Sequence, residues 1–126
     1  MKKISVLLIL FLCIIGCNSI NNSKVEVDII NTKNYSVTEI NEARDIVLKK
    51  VSNFKDSKII EFSYDGESDA IWRKQYDNKQ IIVLNSIMRT GSNPDKTMNS
   101  NTDYPWQWVL IRKNSKDKWK LVSYGF

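Results

Sequence analysis

A short apolar segment behind two lysines limits what this chain can fold into. Lys2 and Lys3 precede an apolar run from residue 4 to residue 15 that only Ser5 interrupts. A basic start, a short apolar stretch and a small residue before the cut are typical of a secretory signal. The run has about 12 residues, whereas a membrane-spanning helix needs about 20. We therefore expect residues 1–16 to be a cleaved signal peptide and not part of the folded domain.

The end of this segment carries a motif. Ile14-Ile15-Gly16-Cys17 resembles the lipobox of bacterial prolipoproteins. The resemblance implies cleavage after Gly16, diacylglycerol and palmitate on Cys17, and a lipid-anchored place on the outer face of the cell membrane. Two or three acyl chains give stable anchoring, since each buried methylene contributes about 0.8 kcal/mol and a single chain binds only marginally. Cys13 lies inside the apolar run and should leave with it. The alternative is a cytosolic protein with a buried apolar N-terminal helix.

Composition narrows the classes of function. Removal of the signal leaves 110 of 126 residues and lowers the formal charge from +5 to +3, which suits a single domain with a modest core. The lysine excess favours anionic headgroups or wall polymers, although a solvated surface is the simpler interpretation. Nucleic acid is not an expected partner outside the cell. The chain has no histidine, the commonest general base and metal ligand, so we expect no metal and no cofactor.

One amphipathic helix is clearly marked. Ser36-Val37-Thr38-Glu39 matches a capping box, in which two side chains satisfy the free backbone N–H groups of a helix start. Apolar residues then recur at helical spacing, at Ile40, Ala43, Val47, Val51 and Phe54. We expect a helix from Ser36 to about Asn53 that buries this stripe. Residues 17–34 are expected to hold the lipidated cysteine and a flexible tether, and residues 35–126 a single globular domain.

The remaining patterns predict a sheet. Alternating or apolar runs favour strands over residues 24–30, 58–64, 80–89, 106–113 and 119–126, with a short helix over 68–76. The fold class that follows is α+β, with an antiparallel sheet of about four to five strands packed on one long N-terminal helix. The polar stretch 90–103 is long for a compact domain, and such loops are usually functional or disordered.

The C-terminal third holds the most distinctive residues. Trp106-Gln107-Trp108 and Arg112 are followed by Trp119 and by Tyr124-Gly125-Phe126. Over about residues 35–126 the chain resembles a family of small extracytoplasmic Gram-positive domains of unknown function. No catalytic residues are established for that family, so the resemblance implies none here. The layout is also similar to nuclear-transport-factor-2-like or cystatin-like folds, where a curved sheet wraps a helix, and this similarity carries no function.

Four of these residues are candidates for ligand binding. Trp106 and Trp108 are two apart, so on a strand they share a face. If that face is exposed, they form a platform with Tyr104 for wall sugars or peptide, and if it faces the helix they are core. Arg112 continues the same face. It either pairs with a carboxylate such as Glu61 or lies exposed at the strand end.

Acidic residues offer two weaker interpretations. The segment Asn99-x-Asn101-x-Asp103 fails the EF-hand calcium template, because Tyr104 and Leu110 stand where glycine and glutamate are needed. It is either an irregular calcium-binding loop or a solvated loop rich in Asn and Asp. A second group of acids clusters in and after a turn, where carboxylates usually face solvent, namely Glu61, Asp65, Glu67 and Asp69. We therefore expect no catalytic residue and no enzyme.

Three functions remain open. The preferred one is a membrane-anchored lipoprotein whose small domain binds an envelope protein, a cell-wall polymer or a small ligand. The second is an immunity- or inhibitor-type lipoprotein that blocks an extracellular toxin or lytic enzyme. The third is a small carboxylate-based hydrolase or isomerase, which would need two acids converging in a pocket.

Overall fold

The structure is a computed structural model that describes residues 25–125. The predicted signal peptide, Cys17 and the tether up to residue 24 lie outside the described residues. The described part is α+β, with a five-stranded mixed sheet and two helices. In chain order the elements are β1 (Val27–Ile29), α1 (Val37–Val51), β2 (Ser57–Tyr64), α2 (Glu67–Arg73), β3 (Gln80–Thr90), β4 (Asp103–Arg112) and β5 (Lys120–Gly125).

The sheet keeps its strands in sequence order, but their directions correct the prediction. Strands β2 to β5 pair antiparallel, whereas β1 pairs parallel with β2 from Val27↔Phe62 to Ile29↔Tyr64. A fully antiparallel sheet was therefore wrong for the first strand. The reason is the crossover through α1, which returns the chain in its original direction, as helical crossovers between parallel strands do. Because β1 is part of the sheet, the fold also begins before residue 35, inside the predicted tether.

Helix α1 confirms the capping-box prediction and covers one face of the sheet. The Ser36 hydroxyl accepts from Glu39 N, and the Glu39 carboxylate accepts from Ser36 N at 2.9 Å. The predicted stripe is buried at Ile40, Ala43, Val47 and Val51. Full burial of one such valine or isoleucine contributes about 1.5–3 kcal/mol. This stripe and the inward residues of the sheet form the main core.

The opposite face of the sheet is covered only in part. Helix α2 spans seven residues. Its Trp72, together with Tyr76 just beyond the end of the helix, packs on a second, smaller core of Ile81, Val83 and Val109. A seven-residue helix is about 10 Å long, so it shields one end of the sheet and leaves the other end open. This uncovered area lies across β2, β3 and β4.

The long polar loop between β3 and β4 is held in place by hydrogen bonds. Gly91 N donates to Asp56 O at 2.8 Å, and Asn101 N donates to Gly91 O at 2.8 Å. A Cβ added at Gly91 would overlap the Asp56 carboxylate, so a larger residue there would have to displace that side chain. The Thr90 hydroxyl donates to Asn99 O at 2.6 Å. The stretch is therefore fastened to the start of β2.

Candidate functional site

Arg112 lies inside the fold and joins the sheet to the start of α1. Its side chain is nearly inaccessible, its guanidinium pairs with Glu39, and its Nε donates to Gln80 Oε1 at 2.7 Å. The guanidinium carbon is also 4.1 Å from the centroid of the Trp119 ring, a cation–π distance. The expected pair with a carboxylate is therefore confirmed, although the partner is Glu39 and not Glu61, and the alternative of an exposed arginine is wrong. Arg112 faces α1, whereas Glu61 lines the opposite face of the sheet.

Glu39, which pairs with Arg112, is also the acid of the capping box. The hydrogen bond from Ser36 N and then the one from Arg112 hold the pKa of Glu39 below its usual value. Trp119 Nε1 donates to Glu39 O at 3.0 Å. These contacts give Arg112 a structural role in positioning the first turn of α1.

The predicted tryptophan platform separates into a buried part and an accessible part. Trp108 is fully buried, and its Nε1 donates to Ser86 Oγ at 2.8 Å, so it belongs to the core. Trp106 is half-buried, and its ring centroid is 5.7 Å from that of Tyr124. The Tyr104 hydroxyl accepts from Asn99 N at 2.7 Å. Only Tyr104 and Trp106 of the four predicted binding residues therefore reach the surface.

Two further rings complete this aromatic cluster and were not expected there. Tyr124 stacks on Trp108 with centroids 5.2 Å apart and stays 43% exposed. Phe54, just beyond α1, lies 5.9 Å from Trp106. The Lys50 ammonium is 5.7 Å from the centre of the Tyr124 ring. The accessible aromatic surface is thus small and centred on Tyr124.

A groove of about 500 Å³ occupies the uncovered area of the sheet. Cross-strand pairing builds it from two rows of side chains: Ser63↔Asn85↔Gln107, and beside them Glu61↔Ile87↔Pro105. Cavities of roughly 300–1,000 Å³ with a few fixed polar groups are typical of ligand sites. The groove is therefore a candidate binding site.

Hydrogen bonds fix the polar row of the groove. Gln107 Nε2 donates to Asn85 Oδ1 at 2.9 Å and lies 3.3 Å from Ser68 Oγ. The side-chain oxygen of Gln107 is then left as an acceptor for a ligand, and the side-chain nitrogen of Asn85 is left as a donor. On the next strand Gly125 pairs with Gln107, and nothing lies within 4 Å of where its Cβ would be. The groove is therefore open toward β5 and offers mostly uncharged partners.

Among the acids of residues 25–125, Asp69 has the most strongly shifted pKa, and it is not in the groove. It is fully buried, and its oxygens accept from the Tyr64 hydroxyl at 2.6 Å and from Val83 N at 2.8 Å. Burial raises the pKa of Asp69 to about 6, although both hydrogen bonds oppose the rise. The expectation that this acid faces solvent was wrong.

The position of Asp69 follows from the length of β2. The β2–β3 ladder ends at Ser63↔Asn85. The backbone N–H and C=O groups on this edge of β3 beyond Asn85 therefore need hydrogen-bond partners other than β2. Asp69 takes the N–H of Val83, and the Tyr35 hydroxyl bonds both N and O of Ile81 at 3.0 and 2.7 Å. Asp69 and Tyr35 therefore replace a missing strand, and neither oxygen of Asp69 is offered to a substrate.

Comparisons with protein-family models, with curated proteins and with solved structures gave no match to this chain. The resemblances described above therefore stay predictions. Within residues 25–125, neither helix combines the length and apolar character needed to span a bilayer. The same residues contain no group of three acidic side chains placed to hold a metal ion.

Proposed function

We propose that this chain is a bacterial lipoprotein with a small extracytoplasmic binding domain. Cleavage after Gly16 and acylation of Cys17 would leave the domain on the outer face of the cell membrane. The support is the run of Lys2, Lys3, a short apolar stretch and Gly16-Cys17, which together fit a signal and not a spanning helix. The domain that follows is joined to this segment through β1.

The groove on the uncovered sheet face is the observation that carries the binding role. It presents the Asn85 and Gln107 amides in one row with Ser63, and the apolar Ile87 and Pro105 lie in the row beside it. This mixture suits a ligand with both hydroxyl or amide groups and apolar surface, such as an envelope glycan or a peptide. An enzymatic role has less support, because the perturbed acid, Asp69, is buried and bonded on both oxygens.

Substitution of Cys17 tests the anchor. We expect Cys17→Ser to abolish incorporation of labelled palmitate and to move the protein from the membrane fraction to the soluble or unprocessed pool. Loss of two or three acyl chains removes most of the membrane affinity. Cys13→Ser is the matched control and should leave labelling and fractionation unchanged. Undiminished palmitate labelling of Cys17→Ser would contradict the anchor.

Site-specific crosslinking tests the groove. A photoreactive amino acid replaces Glu61, which is exposed at the rim, and in a second strain Glu42, which is exposed on α1. After irradiation of intact cells we expect a discrete adduct from position 61 and little from position 42. Gln107→Leu should lower the adduct yield, because it removes the fixed acceptor and the bond to Asn85. Equal yields from both positions would contradict a ligand in the groove.

A further inference from the structure

The end of the domain at the β4–β5 hairpin is strongly basic. Six exposed lysines and the exposed Arg73 lie there against two acids, Asp77 and Asp117, which gives a local charge of +5. This exceeds the +3 expected for the whole mature chain, so the rest of the protein carries no net positive charge. We name this surface the lysine tip: Lys74, Lys79, Lys113, Lys116, Lys118 and Lys120.

Strand pairing gathers these lysines at one end of the sheet. Gln80 pairs with Arg112, so Lys79 and Lys113, one residue beyond each, lie at the end of the β3–β4 ladder. Lys120 pairs with Ile111 on the next strand. The turn between them is closed by Asp117 N donating to Asn114 O at 3.1 Å. The positive charges are therefore carried by an ordered hairpin.

The charges of the lysine tip are available to a partner. Ion pairs among residues 25–125 join Arg44 to Asp45, Arg89 to Asp103 and Arg112 to Glu39, and none of them involves a lysine of the tip. Arg112 lies close by but is buried and paired, so the exposed cations on the hairpin are all lysines.

The lysine tip also lies far from the entry of the chain. A different cavity lies beside the end of α1, and its lining includes Val25, the first described residue, and Ser57. Ser57 pairs with Thr90, and β3 runs from there to Gln80 at the tip. Ten steps along a strand span about 33 Å. The basic surface is thus at the opposite end of the sheet from Val25.

We propose that the lysine tip binds a linear phosphodiester polymer of the cell envelope. The source of the polymer rests on the proposed extracytoplasmic location, whereas the binding surface does not. All residues from 113 to 118 are exposed, so the turn surrounds no small anion and needs a ligand that offers several charges. Lysine binds phosphate as a compact point charge, and the lysine tip offers several such charges at once to a chain that carries one charge on each repeat.

The test measures binding of fluorescently labelled poly(glycerol phosphate) to the purified full-length protein in a neutral detergent. We expect the triple variant Lys113→Gln/Lys116→Gln/Lys118→Gln to raise Kd about tenfold or more at low salt. Each lysine that contacts a phosphate releases a counterion from the polymer, and this favourable release is lost with the lysine. The matched control, Lys49→Gln/Lys55→Gln/Lys96→Gln, removes the same charge from residues outside the tip and should change Kd less than about twofold. Both variants should keep the wild-type thermal midpoint.

Three outcomes would overturn the proposal. Equal weakening by the two triple variants would show that only net charge matters. Equal affinity of the wild type for polyglutamate of the same charge would remove the preference for phosphodiesters. Binding to anionic phosphatidylglycerol vesicles as tight as to the polymer would make the tip a membrane surface. Because the assay uses purified protein, its result can be read whatever the Cys17→Ser experiment gives.

Discussion

Val47→Asp is expected to leave the domain unfolded under conditions in which the wild type is folded. Val47 has no accessible surface and lies in the centre of the α1 stripe. A carboxylate there has no cationic partner, and burying an unpaired charge costs at least several kcal/mol. Domains of this size are stable by about 5–15 kcal/mol, so one such change removes most or all of the stability. Circular dichroism and thermal unfolding measure the loss.

Two further variants on α1 control this experiment. Val47→Ala creates a small cavity without a charge and should lower the unfolding free energy by about 2 kcal/mol. Lys49→Asp introduces the same carboxylate at an exposed position two residues away and should cost about 1 kcal/mol or less. A wild-type thermal midpoint for Val47→Asp would mean that α1 does not cover the sheet as described.

Asp69→Leu is expected to lower the unfolding free energy by about 3 kcal/mol, because it leaves the Tyr64 hydroxyl and Val83 N–H buried without an acceptor. Asp69→Asn keeps an oxygen for Val83 N and is the matched control, with a loss near zero at neutral pH. Chemical denaturation of the three proteins at neutral pH measures the difference. Equal losses for the two variants would show that shape, and not the hydrogen bonds, makes the contribution.

The pair Asp69 and Asp69→Asn also carries a pH signature. The pKa of Asp69 is raised from 3.8 to about 6 in the folded protein, so between these values the folded state holds a proton that the unfolded chain has lost. Its contribution to stability is present at low pH and is lost as the pH rises through this window, by about 3 kcal/mol in total. The lowered pKa of Glu39 acts in the opposite direction. The stability difference between wild type and Asp69→Asn therefore isolates Asp69, and a pH-independent difference would contradict a shifted pKa.

Local patterns predicted the elements of this fold well, because they depend on neighbouring residues. The capping box at Ser36 and Glu39 marked the start of α1, and alternation or apolar runs marked the five strands. The direction of β1 was missed, since the alternation of Val27 and Ile29 is the same in a parallel and an antiparallel strand. Strand β1 pairs with Phe62 to Tyr64, which lie beyond α1 in the sequence, so no local pattern contains this contact.

The candidate site was harder to predict, because burial depends on which face of the sheet each helix covers. Arg112 was assigned to the correct face, but its partner Glu39 is 73 positions away. From the sequence, Asp69 was expected to face solvent near a turn. It is buried because β2 is short and leaves the N–H of Val83 without a strand partner, and Asp69 accepts from that N–H. Polar residues inside apolar strands, such as Asn85 and Gln107, were the available signal for the groove. Their cross-strand register was needed to show that they meet.

The parallel pairing of β1 determines how the proposed lipoprotein would carry mechanical load. A pull between the membrane and a polymer held at the hairpin would act on the chain at Val27 along the axis of the strand. Force along parallel paired strands shears their hydrogen bonds together, whereas force across them peels the bonds one after another. The ladder from Val27 to Ile29 would share that tension with β2 before α1 is stretched.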